Sequence, residues 1–473
     1  MNQIKVMTVM ACQIALLLGS VGCRHTDAVD YVDPFIGSHF FAHTFPGASL
    51  PFAMVQLSPD TDTEGWNACS GYQYADSSII GFSHTHFSGT GAALLGDVLL
   101  MPFIGDRLQI QPGSKQNPDE GYRSRFEHQD EIATPGYYSV LLKDDQIKAE
   151  LTATQRVGVH RYTFPRADNA HFILDLGHII GHAPAGVSHL TVVDNHRIEG
   201  YKVSVAAKVY FSAEFSKPFA AFGTWDRNYR TPESGEGIFP YQTAETGEQI
   251  GAFVDYRTAA DEAILVKVGL SYVSVESARQ NIRAEAPDWN FDRVKELART
   301  TWNHYLKRVQ VQGRSDEQKQ IFYTALYHTF ISQQIANDAD GRYLGMDGQV
   351  QPAKGFDLYP SFLAWDTFRS EHPLMTLVAA DHVTDMLKSI EAKCREYGWL
   401  PSQHIRNEFE QGMVGDHLAP IIVDAYQKGF RDFDAGFLYE MMRKKALEPP
   451  PAPIPASAAR AGVAAYRTLG YLP

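Results

Sequence analysis

The sequence predicts a multidomain β + α chain, with an antiparallel β-sandwich over residues 24–273 and a helical domain of α/α toroid type over 274–473. Three observations carry that reading. At 473 residues the chain is too long for one ordinary core. Up to about residue 273, apolar residues recur at every second position in short segments with no amphipathic helix between them, the mark of antiparallel pairing. Near Val275 the period becomes that of a helix and stays so.

Taken in order, residues 1–23 read as a secretory signal. Lys5 precedes the apolar run "VMTVMACQIALLLGSVGC", too short for a stable span and typical of an h-region. The run ends at Ser20-Val21-Gly22-Cys23, which resembles a bacterial lipoprotein cleavage box with Ser20 where Leu is usual. Cys23 is therefore the expected lipidation site, with plain secretion as the alternative, and the chain is expected to cross the inner membrane and remain as a periplasmic or outer-membrane lipoprotein. Cys12 leaves with the signal, so Cys69 and Cys394 remain, in different domains, and are expected as buried small hydrophobes.

"YYSVLLKDDQIKAELTATQRVGVHRYTFP" alternates around a turn at Asp144-Asp145, and "AHFILDLG", "YKVSVAAKVYFSAEF" and "AILVKVGLSYVSV" are further strands. "NFDRVKELARTTWNHYLKRV" then places Phe291, Val294, Leu297, Ala298, Trp302 and Tyr305 on one helical stripe. "SDEQKQIFYTALYHTFISQQIA" follows as a second helix, with Ser315 and Gln318 at capping-box spacing. Helical stretches recur around 374–397, 416–428, 433–447 and 456–469, with "EPPPAPIP" a stiff connector before the last. Helix hairpins in series suggest an α/α toroid. By Pro473 only about half of its helices have been spelled out, so the domain is expected to be incomplete at its C-terminal end.

The formal charge is -13 and no basic cluster stands out, which argues against nucleic acid as a partner. The stretch "GFSHTHFSGTG" at 81–91 raises three options. In a strand His84 and His86 would share a face, a possible metal-ligand spacing, with His43 or Asp97 as a third ligand that nothing in the sequence ties in. The competing reading is a polar pocket wall or hydrogen-bonded core histidines, and no metal is expected at this pair. Ser88 lacks the strand–turn–helix setting of a nucleophile elbow. Gly89 and Gly91 lack the Gly-Lys pair or helix that would cradle a phosphate.

The neighbouring segments are more specific. "VDPFIGSHFFAHTFPGASLPFAMVQLSPDT" runs into "GWNACSGYQYADSSIIGFSHTHFSGTG" and then "LGDVLLMP". This succession resembles the N-terminal domain of glycoside hydrolase family 92, the calcium-dependent bacterial exo-α-mannosidases. "SYVSVESARQNI", "FYTALYHTF", "DADGRYLGMDG", "FLAWDTFRSEHPLMTL" and "PIIVDAYQKGFRDFD" look like that family's helical domain, in the same order. The resemblance implies a β-sandwich packed on an (α/α)6 barrel, with the active site where the two meet. It also implies exo-acting α-mannosidase activity of α-1,2 type, releasing terminal mannose from N-glycans or mannans by calcium-assisted inverting hydrolysis.

Two residues carry over by position. Trp66, in "GWNACSGY", matches an aromatic that lines the sugar pocket, and Asp366, in "AWDTF", matches a carboxylate that hydrogen-bonds the terminal mannose. The chemistry agrees: an indole face covers a sugar's C–H surface, and a carboxylate accepts two vicinal hydroxyls. Read without the family, Trp66 could be a core tryptophan, and Asp366 a helix cap or the ion-pair partner of Arg369. The chain departs from the family pattern at "GTGAALLGD", at "GSHFFAHTFPG" and at Gln403, where a tryptophan is common, so linkage preference stays open.

The largest departure concerns catalysis. Inversion needs a general acid and a general base with carboxyls about 6.5–9.5 Å apart. In the family the acid glutamate, the base aspartate and most calcium ligands lie beyond the point matching Pro473. Glu408, Glu410, Asp416 and Asp424 match none of those positions, so no catalytic residue and no metal ligand is assigned within this chain. The alternative is a non-catalytic carbohydrate-binding remnant or an inactive gene fragment.

Overall fold

The computed structural model describes residues 27–41, 43–181, 186–204, 207–229, 237–402, 404–406, 408–409, 415–454, 458 and 462–473. The predicted signal with Cys23, and likewise Gln403 and Glu410, lie outside the described residues. Two large sheets build the N-terminal part, and every pairing in them is antiparallel. The eight-stranded sheet runs Ala48–Ser49, Gln56–Asp60, Gly81–Ser83, Leu99–Ile104, Ala167–Asp175, Ile250–Thr258, Ala221–Asp226, Ile238–Pro240. The nine-stranded sheet has Glu262–Ser271 at its centre, with Ala207–Phe215 on one side and Val157–Phe164 on the other. The predicted turn at Asp144-Asp145 joins Tyr137–Leu142 to Ile147–Ala153 in register Leu142 to Ile147.

The sheets meet through aromatic side chains. Phe172 of the first sheet stands edge-on to Tyr162, Phe164 and Phe215 of the second, at centroid distances of 5.2, 5.5 and 5.6 Å. Such geometry places a ring's positive edge on its neighbour's negative face. Burial does not alternate along Glu262–Ser271, whose last six residues are all buried. The cause is helical cover on the outer face. A Cβ at Gly269 would lie 2.4 Å from the carbonyl oxygen of Ala278, and one at Gly136 (φ +81) would lie 2.7 Å from Cβ of Ala298. Glycine is what lets these helices approach so closely.

The described helices are α1 (Val275–Glu285), α2 (Phe291–Leu306), α3 (Asp316–Ser332), α4 (Ala364–Thr367), α5 (Glu371–Val378), α6 (Ala380–Tyr397), α7 (Leu418–Gln427), α8 (Ala435–Leu447) and α9 (Val463–Leu469). α2 buries Phe291, Val294, Ala298 and Trp302 of the predicted stripe, and Leu306 besides; Tyr305 is half-buried and Leu297 is 51% exposed. At 100° per residue Leu297 falls outside that arc. The single helix expected from residue 374 to 397 is two, broken at Ala379 (φ -140, ψ 42). The second predicted helix ends earlier than expected, at Ser332, because Gln333 is extended (φ -94, ψ 136). Only half of its capping box forms. Ser315 Oγ accepts from Gln318 N–H, whereas the Gln318 side chain turns back to Arg314 N–H at 3.0 Å.

Sandwich and helices share one apolar core that includes Phe52, Trp302, Tyr327 and Tyr359. Phe52 N–H donates to the Phe330 carbonyl at 2.8 Å, and Ile335 N–H donates to the Phe52 carbonyl at 2.9 Å. Cys69 and Cys394 are both buried and unpaired, and burial pushes the Cys394 thiol up to about 12.

Candidate active site

A cleft of about 290 Å³ opens where the two halves meet. Thr44, Phe87, Ser88 and Thr90 line it from the sandwich. His328, Ser332 and Gln333 line it from the end of α3, and Asp366 and Glu371 from α4 and the start of α5. Its volume is near the low end of the usual range for small-ligand sites, about 300–1,000 Å³, so it suits one ring-sized ligand.

"GFSHTHFSGTG" therefore divides in two. Its second half is pocket wall; its histidines are core. The strand ends at Ser83, and the two imidazoles reach different partners. His84 is fully buried, with Nδ1 at 2.6 Å from the Val98 carbonyl and Nε2 at 2.9 Å from Nε2 of His160. Burial pulls His84 down to about 4, which keeps the ring neutral. His86 is also fully buried, with Nδ1 at 2.8 Å from the Gln56 carbonyl and Nε2 at 2.8 Å from Oδ1 of Asp60. Of the third ligands considered, His43 packs edge-on against Trp66 at 4.9 Å. Asp97 pairs with Arg406 at 3.0 Å and with Lys202 at 3.6 Å. Burial alone would raise the Asp97 carboxyl, but those two cations outweigh it and hold it at about 2.

Trp66 is not a core residue: it is 59% exposed and sits in a short 3-10 turn, Trp66–Ala68. It stands beside the pocket's sandwich wall. A Cβ on Gly91, next to Thr90 of the lining, would come within 2.1 Å of Trp66 Cη2. Asp366 lies in the first turn of α4 and is not its cap, since the N-cap position belongs to Leu363. It does not pair with Arg369, whose guanidinium lies 5.0 Å from the Phe368 ring centroid. Among the described residues the Asp366 carboxylate has neither an ion pair nor a side-chain hydrogen bond, and partial desolvation raises it from its ordinary value.

Gln333 and Glu371 are among the lining residues that the sequence did not single out. Glu371 Oε1 accepts from Ser332 Oγ at 2.6 Å and from Gln333 Nε2 at 3.0 Å. Burial, with Asp366 nearby, lifts the Glu371 carboxyl despite those donors. Of the helical-half carboxylates weighed earlier, Asp416 faces Lys445 at 3.4 Å and Asp424 pairs with Lys428 at 2.7 Å, and neither lines the pocket. The Glu408 side chain lies outside the described residues.

The profile of the glycosyl hydrolase family 92 N-terminal domain matches residues 31–271, and that of the family's catalytic domain matches residues 277–473. The chain belongs to glycosyl hydrolase family 92. Within it, an α-mannosidase of Bacteroides thetaiotaomicron, solved in complex with mannoimidazole, is 32% identical with a TM-score of 0.86, covering 95% of this chain and 58% of that one. An inverting mannosidase of the same family and organism is 29% identical with a TM-score of 0.81, covering 95% and 59%. An uncharacterized secreted glycosidase of Arthroderma benhamiae is 26% identical over 97% of this chain and 57% of its own length. The chain thus spans between half and two thirds of the length of these relatives.

Among the described residues no group of three or more His, Cys, Asp or Glu side chains could hold a metal ion. Among them, too, no helix is long and apolar enough to cross a membrane.

Proposed function

We propose that this cleft holds the terminal mannose of an α-linked mannoside, and that the chain supplies the sugar-binding side of an exo-acting α-mannosidase working on N-glycans or mannans. One observation carries the reading: Asp366, a carboxylate with no side-chain partner among the described residues, lines a ring-sized cleft at the junction of the two halves. An ionised carboxylate offers acceptors only, and vicinal hydroxyls meet that need while leaving the rest of the ring apolar. The exposed Trp66 indole beside the same wall suits the sugar's C–H face. The α-1,2 preference rests on the family resemblance, and the inverting outcome on the Bacteroides relative as well. Asp366 and Glu371 are assigned to holding the sugar, and neither is assigned as acid or base.

The test uses the full-length protein on an α-mannobiose. Asp366→Ala is expected to cut kcat/KM roughly 10- to 100-fold, since losing a hydrogen bond to a charged group costs about 1.5–3 kcal/mol. Its thermal midpoint should hold. Near-normal turnover with a lowered midpoint would make Asp366 structural, and sugar binding without turnover by the parent protein would make this a carbohydrate-binding protein. Calcium enters the reading through the family resemblance alone; rates measured after chelation, and again after calcium is restored, check it. We also propose Cys23 as a lipid anchor, so that Cys23→Ser moves the protein from the membrane to the soluble fraction.

A further inference from the structure

We propose that Gln333 and Glu371 are specificity-determining residues for the terminal sugar, reading a ring hydroxyl other than those taken by Asp366; the inference rests on the mannoside reading above. Gln333 is 3% exposed and its Nε2 is committed to Glu371 Oε1 at 3.0 Å. Its Oε1 is buried without a hydrogen-bond partner among the described residues, although the residue lines the cleft. Buried amide oxygens are paired in the great majority of cases, so an orphan on a pocket wall marks a place where a ligand donor belongs. Glu371 repeats the pattern. Both of its donors, Ser332 Oγ and Gln333 Nε2, converge on Oε1, which leaves Oε2 uncommitted. His328 Nε2, in the same lining, is a second polar atom that is buried without a partner among the described residues.

The chemistry of this edge is specific. An amide oxygen and an ionised carboxylate oxygen accept and cannot donate, so they select hydroxyl groups and offer nothing to a position that lacks one. A site built to bond a hydroxyl discriminates against the analogue lacking it, because its own buried groups are then stranded. The edge is also held in place. Gln333 leaves α3 in extended conformation, and the next residue is tied to the sandwich by Gln334 Nε2 donating to the His86 carbonyl at 2.8 Å. Turning the Gln333 amide or the Glu371 carboxylate away would break the bond between them and the one from Ser332.

Calorimetry of the full-length protein with methyl α-mannoside and its monodeoxy forms tests the proposal. Gln333→Met keeps the side chain's length and removes its amide. It should weaken the parent sugar about tenfold and cause no further loss for the one deoxy form that lacks the matching hydroxyl. Glu371→Gln, which preserves shape and can still accept from Ser332, should give the same selective pattern, and it serves if Gln333→Met folds poorly. An equal loss across the parent and every deoxy form would overturn the proposal, and so would unchanged affinity. If Asp366→Ala still weakens binding in that case, the mannoside reading survives and only this inference fails. If no mannoside binds the parent protein, both fail.

Discussion

Gly91 decides where the Trp66 ring lies. A methyl group there would come within 2.1 Å of Cη2, and the ring, 59% exposed, can swing aside without opening the core. Gly91→Ala is therefore expected to weaken mannoside binding roughly fivefold, the worth of about 1 kcal/mol of stacking, with an unchanged thermal midpoint. Calorimetry beside a melting curve checks both halves of that statement; full affinity would mean the indole face is not used. Asp145 gives a prediction with a definite sign. Burial, reinforced by Asp144, lifts its carboxyl from 3.8 to about 6, while Oδ1 accepts from Ile104 N–H at 2.8 Å. An acid raised in the fold contributes stability below 3.8 and loses it as pH rises through about 6. Asp145→Asn keeps the acceptor, so it should be more stable than the parent above that range and match it below; urea midpoints on both sides decide. At this scale the sequence was legible in position where a motif carried the residue: Asp366 lines the cleft and Trp66 stands beside its wall. Spacing alone could not place His84 and His86, because their partners Val98, His160, Gln56 and Asp60 come from other stretches of the chain.

Ser315 stands at one end of α3 and the pocket residues at the other, and 17 residues of helix separate them by roughly 25 Å. Ser315→Ala should cost about 1 kcal/mol of stability through its lost cap, yet leave sugar affinity alone. Gln318→Ala should cost less, since its side chain serves only Arg314 N–H. Chemical denaturation and calorimetry of the two variants separate these outcomes, and a loss of affinity in Ser315→Ala would show that the cap reaches the site. Strands and long helices were legible because their apolar residues recur at the expected period, even where, as along Glu262–Ser271, both faces are buried. The end of α3 was not. "ISQQIA" continues a helical pattern, but its backbone is captured by the sandwich through Phe52, and no local propensity records a partner so far away in the chain. That miss also hid Gln333, which lines the pocket only because the helix has stopped. Glu371 was hidden differently: it reads as an ordinary first-turn acidic residue, and only the fold sets it against Ser332 and Gln333.

The two halves are joined by charge as well as by packing. Arg406, from the helical half, meets Asp97 of the sandwich at 3.0 Å, Lys202 approaches the same carboxylate at 3.6 Å, and both ends of each pair are nearly or fully buried. Trp302 adds a bond across the junction from Nε1 to the Ser49 carbonyl at 2.7 Å, and the apolar core runs through without a break. Residues that share one core and one buried charge cluster are expected to unfold together, so denaturation should show a single transition by fluorescence and by circular dichroism. Asp97→Asn tests the cluster directly. It strands two buried cations, and breaking a buried pair in this way costs on the order of 3–5 kcal/mol. The pH dependence fixes the cause. Asp97 is held at about 2 against an ordinary 3.8, so its contribution is present above 3.8 and is lost as pH falls toward about 2. The gap between the parent and Asp97→Asn should therefore be widest at neutral pH and narrow steadily below 3.8, as protonation does to the parent what the substitution has already done. Urea midpoints of both proteins across that range decide the matter, and a gap that stays constant would mean that the asparagine disturbs packing and leaves the electrostatics of the junction untouched.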